Sequence, residues 1–135
     1  MGFFDWDTRY SVGVKLFDEQ HQRLFALVDG FHQAMKEGKA RKQIDLMLQE
    51  LVEYTMTHFA DEERYMRQYK YSNFLSHRAE HDKFTNTVQV YQADYLSGSG
   101  KVTTVDIMDL VKSWLVNHIQ GTDKQYEAFF NTQGL

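Results

Sequence analysis

Six histidines and no cysteine stand in this 135-residue chain, and the spacing of the histidines is what could do chemistry. HRAEH at 77–81 sets His77 and His81 one helical turn apart with a glutamate between them. That is the H-x-x-E-H order with which inverted zinc peptidases bind zinc. HFADEE at 58–63 places Glu62 four residues after His58, on the same helix face. HIQGTD at 118–123 places Asp123 five residues after His118, and DEQH at 18–21 contributes His21. Neutral imidazole and carboxylate are metal-ligand chemistry. With no cysteine, thiolate catalysis, disulfides, iron–sulfur clusters and cysteine–zinc sites are excluded.

The elements that must position these groups are helices. Apolar residues recur at helical spacing over about 18–37, 41–69, 73–96 and 104–130, and there is no proline to interrupt them. Asp18 reads as the cap of the first segment, Gly38 as its stop, and SGSG at 97–100 as the end of the third. An irregular N-terminal arm, residues 1–17, carries Trp6 and the VGV at 12–14. Short connections favour antiparallel neighbours, so the expectation is an all-α, up-down-up-down four-helix bundle forming one domain over 1–135.

Five histidines fall in the apolar seams at one depth. Counted from the same end of the bundle, His21, His58, His81 and His118 stand about 14–17 residues along their helices, roughly 21–25 Å, with His77 one turn further on. Five buried imidazoles in one layer are costly without a shared partner, and a metal is such a partner. Five residues carry a side chain roughly 140° from its starting direction in a regular helix, so His118 and Asp123 need a π-type turn near Gly121 to meet. Asp61, Glu63 and Glu80 are expected on solvated faces, and His32, roughly 16 Å along its helix from His21, outside the cluster.

Five nitrogens and two carboxylates exceed one tetrahedral zinc and suit two metals with Glu62 and Asp123 bridging. His77, His81 and His118 would complete one metal; His21 and His58 would leave the other an open position. A mixed nitrogen–carboxylate set with an open position favours iron, with manganese and zinc left open by ligand type. The paired Glu-x-x-His motifs of oxygen-activating di-iron bundles are missing, and a histidine-rich site favours reversible binding over oxygen–oxygen cleavage. Leu24, Phe59, Leu115 and Ile119 would form a dry apolar pocket over the open position.

The combined pattern H…H-x-x-x-E…H-x-x-x-H…H-x-x-x-x-D, with Trp6, VGV and DEQH, resembles the hemerythrins along nearly the whole chain. Phe17 stands before DEQH where that family more often has an aliphatic residue. The resemblance implies a non-haem di-iron centre binding O2 reversibly, for storage, delivery or sensing, and no enzyme. It implies His77, His81 and His118 on the six-coordinate iron, His21 and His58 on the iron that takes O2, and Glu62 and Asp123 as bridges.

The formal charge of −4, without a like-charge block, disfavours a nucleic-acid partner, and no apolar run is long enough to span a bilayer. MGFFDW lacks both a signal-peptide pattern and a myristoylation serine or threonine, so a cytoplasmic protein is expected. A zinc peptidase leaves His21, His58 and His118 unexplained. The stronger rival is a di-iron redox enzyme handling peroxide, nitric oxide or iron. Sensing needs a separate output partner, and neither a protein acceptor nor a reductase is identifiable from the sequence.

Overall fold

The computed structural model describes residues 4–135. Four long helical segments make the bundle. Helix α1 spans Lys15–Lys36, α2 Arg41–Gln68, α3 Phe74–Leu96 and α4 Thr104–Asn117. The fourth strut then continues through a π turn, His118–Thr122, a 3-10 turn, Asp123–Tyr126, and the short helix α5, Glu127–Thr132. Each helix packs on the next, and α4 closes back onto α1. Among the described residues no helix is long and apolar enough to cross a membrane.

The ends of the helices follow local chemistry. At the end of α1, Gly38 takes φ +69°, and the Lys39 N–H reaches the Ala34 carbonyl at 3.1 Å. This is a left-handed C-terminal stop that a glycine allows without a Cβ penalty. Thr103 and Asp106 form a capping box at the start of α4, each side chain accepting from the other's backbone N–H.

Asp18 is not the first cap. Helix α1 begins earlier, with Val14 at its N-cap position. Asp18 sits in the first turn and holds the arm instead, accepting from the Ser11 hydroxyl at 2.6 Å and the Val12 N–H at 2.7 Å. Buried Val12 and Val14 follow from that anchoring and draw the arm into the core. Among the described residues of the arm, Phe4 stacks on Phe25 at 3.7 Å and Tyr10 lies edge-on to Phe25 at 4.8 Å. The core seams of α1, α2 and α4 are Leu24, Phe25, Val28 and Phe31; Leu48, Leu51 and Phe59; and Ile107, Val111 and Leu115.

Candidate metal centre

One end of the bundle interior is polar. His21, His58, Glu62, His77, His81, His118 and Asp123 are all buried there, each no more than 3% exposed. His21 comes from α1, His58 and Glu62 from α2, His77 and His81 from α3, His118 from the start of the π turn and Asp123 from the residue that follows it. The π turn is the irregularity that the five-residue spacing requires. The Asp123 N–H reaches back five residues to the His118 carbonyl, so one extra residue is absorbed in the turn and both side chains face inward.

The two carboxylates each divide their oxygens between two groups of histidines. Glu62 Oε2 lies 3.5 Å from His21 Nε2 and 3.4 Å from His58 Nε2, and Asp123 Oδ2 lies 3.2 Å from His21 Nε2. On the other side, Glu62 Oε1 lies 3.6 Å from His77 Nε2 and 3.2 Å from His81 Nε2. Asp123 Oδ1 is 2.9 Å from both His77 and His118 Nε2. Two pockets of ligand atoms result, one of His77, His81, His118 and one of His21, His58, sharing both carboxylates.

The donor chemistry fits a cation in each pocket. His81 Nδ1 contacts Glu63 Oε2 at 2.9 Å and His118 Nδ1 contacts Glu80 Oε1 at 3.1 Å, so both Nδ1 atoms carry hydrogen. Their Nε2 lone pairs then face each other at 3.1 Å. His21 and His58 Nε2 approach at 3.0 Å in the same way. Neighbouring ligands about 2.1 Å from one metal stand ~3 Å apart when they subtend a right angle at it. Glu62 Oε1, both Asp123 oxygens and His77 Nε2 have no hydrogen-bond partner, although each lies where a cation would satisfy it.

Without metal, protons must do that work. Burial alone would lower the His21 and His77 pKa values. Contact with Asp123 and Glu62 outweighs burial and pushes them up to about 9 and about 10. Burial prevails at His58, whose pKa is lowered. Burial would raise Glu62, but the facing histidines hold its carboxyl well below the usual range; Asp123 is held low likewise.

Residues 12–130 match the family model for the hemerythrin HHE cation binding domain. The chain belongs to the hemerythrin family. It is 33% identical over 127 residues to a bacteriohemerythrin of Methylococcus capsulatus, covering 93% of this chain and 95% of the relative. A hemerythrin-like protein of Naegleria gruberi is 32% identical, with 93% and 92% covered. A crystal structure of wild-type hemerythrin superposes with a TM-score of 0.86 at 31% identity, covering 93% of this chain and 96% of that one.

Around this hemerythrin-family cluster stand groups that the sequence pattern did not single out. Glu63 and Glu80 are not merely solvated acids, since each accepts from a histidine ring; Glu80 keeps a side chain 48% exposed while doing so. Asp61 accepts from Gln20 Nε2 at 2.7 Å, and Gln20 Oε1 accepts from His58 Nδ1 at 2.6 Å. The fully buried Tyr126 donates its hydroxyl to Glu62 Oε2 at 2.5 Å. Burial and the two carboxylate charges keep that phenol protonated by raising its pKa well above the ordinary value. No spacing along one helix hints at Glu63 and Glu80, because each pairs with a histidine of a neighbouring segment.

The expected pocket residues are all interior. Leu24, Leu115 and Ile119 are fully buried, and the Phe59 ring is stacked 3.9 Å from His81 as well as lying 6.0 Å from His58. Phe59 therefore walls the three-histidine side too. Phe17 is fully buried, edge-on to His58 at 6.3 Å and packed on Tyr126 and Phe130. His32 is partly buried on α1 and stands outside both ligand groups.

Proposed function

We propose that this chain binds O2 reversibly at a non-haem di-iron centre. The observation that carries the reading is the division of Glu62 and Asp123, one oxygen of each toward the three-histidine group and the other toward the two-histidine group. His77, His81 and His118 would hold one iron, His21 and His58 the other, and the two carboxylates would bridge them. The iron pair supplies the redox chemistry that lets O2 be taken up and given back. Three histidines would serve one iron and only two the other, so a free position would be left on the two-histidine side.

The chain's own residues favour holding over turnover. Leu24, Leu115, Ile119 and Phe59 are buried on the ligand-bearing helices and would cover the cluster with apolar side chains that keep bulk water away. Among the described residues the nearest phenol, Tyr126, is engaged to Glu62, and its raised pKa keeps its proton in place. Storage, delivery and sensing in a cytoplasmic setting share this chemistry and differ only in the partner.

Iron content and visible absorption, followed through reduction, air exposure and deoxygenation, test the reading. About two irons per chain, with a charge-transfer band that develops in air and fades under vacuum, are expected. Two irons that oxidise once without recovering would instead establish the di-iron redox enzyme. One zinc per chain would restore the peptidase reading of HRAEH.

A further inference from the structure

We propose that the groups behind the histidines make the two metal positions unequal. Glu63 and Glu80 act as positioning residues that render the three-histidine position the slowly exchanging one, and the two-histidine position is the one that loses metal first. The inference rests on the di-metal reading above.

The distal ring nitrogens show the asymmetry. On the three-histidine side His81 donates to the Glu63 carboxylate at 2.9 Å and His118 to the Glu80 carboxylate at 3.1 Å. On the two-histidine side His58 donates to the neutral amide oxygen of Gln20 at 2.6 Å, and His21 Nδ1 is buried with no hydrogen-bond partner. A charged acceptor draws the N–H proton toward itself and leaves the imidazole a stronger donor at Nε2; an amide does so less. Two of the three ligands on one side are charge-backed, and neither ligand on the other is. The amide cannot exchange its ends, because Gln20 Nε2 is held by Asp61 Oδ2 at 2.7 Å.

Glu80 has a second task. The oxygen that accepts from His118 also accepts the Thr122 hydroxyl at 2.8 Å. Thr122 is the last residue of the π turn, immediately before Asp123. One carboxylate on α3 thereby fixes both the ring of one ligand and the turn that delivers the shared carboxylate.

The test uses the full-length, iron-loaded ferrous protein mixed with excess ferrous chelator, with metal content measured beforehand. The wild type should release iron in two phases of equal amplitude. Glu63→Gln keeps an oxygen acceptor but loses the charge, and should speed the slow phase about 10–100-fold while leaving the fast phase unchanged; Glu80→Gln should speed the slow phase as much, and the fast phase to a smaller degree through Asp123. Gln20→Leu should speed the fast phase alone. A single phase in the wild type, or equal acceleration of both phases by the two glutamate variants, overturns the ranking. Should Glu80→Gln unfold through loss of the Thr122 contact, Glu63→Gln decides alone. A wild-type chain that never loads two irons overturns the di-metal reading itself, and the prior metal analysis shows which has failed.

Discussion

Tyr126 shows how much a single buried group contributes here. Its fully buried hydroxyl meets a charged carboxylate. Tyr126→Phe removes a hydrogen bond to a charged group and should destabilise the fold by about 1.5–3 kcal/mol in urea denaturation. An unchanged midpoint would show that the ring's packing on Phe17 and Phe130 is all it supplies. His77→Ala is expected to abolish stable metal loading and lower the melting temperature, because metal binding is linked to folding. Full metal content in that variant would remove His77 from the ligand set. Leu115→Ala, at a fully buried position, should cost about 2–5 kcal/mol yet keep both metals. It should also shorten the lifetime of the reversible colour change in air, and an equal lifetime would mean that Leu115 does not guard the site.

At the scale of elements, the π turn is one extra residue absorbed by an otherwise helical strut. Deleting Gly121 would set His118 and the aspartate four apart, the spacing that already works for His58 and Glu62. Nothing lies within 4 Å of a Cβ added at Gly121, so no packing contact is lost there, although the Gln125 amide gives up its 2.9 Å bond to the Gly121 carbonyl. The deletion variant is expected to retain its metals with more α-helical circular dichroism. Loss of metal would show that the turn places Asp123 by more than periodicity. At Gly38 the positive φ is the constraint, and nothing lies within 4 Å of an added Cβ. Gly38→Ala should therefore cost only the left-handed backbone strain, about 1–2 kcal/mol, read as a shifted urea midpoint.

At the scale of the molecule, the cluster links protons, metal and folding. His21 and His77 rise from an ordinary 6.5 to about 9 and about 10 in the folded, metal-free chain. Between those values the folded state binds protons that the unfolded state does not. The stabilisation is complete below pH 6.5 and is lost as pH rises through about 9 and about 10. Metal-free protein should accordingly lose stability with rising pH across that window. Metal affinity should rise over the same range, since loading expels those protons. Urea denaturation of chelator-treated protein and calorimetric proton release in two buffers measure the two trends; a metal-free stability that is flat with pH would place the protons elsewhere.

The buried histidine–carboxylate cluster was legible because helical period and antiparallel pairing convert spacing into depth. His21, His58, His81 and His118 share a height by counting alone, and the five-residue step to Asp123 by itself requires an irregular turn. The arm was less legible. Asp18 has the composition of a helix cap, but its contacts are to Ser11 and Val12, so α1 starts earlier than its side-chain chemistry suggests. The backing groups were not legible at all. Glu63 follows Glu62 and Glu80 precedes His81, positions that a single helix turns away from its own ligands; only a neighbouring helix gives them a histidine to hold. Periodicity along one helix determines which residues face inward, whereas the identity of the partner across an interface depends on how helices rotate against each other. That rotation is set by the packing of the whole core, and no local stretch of sequence contains it.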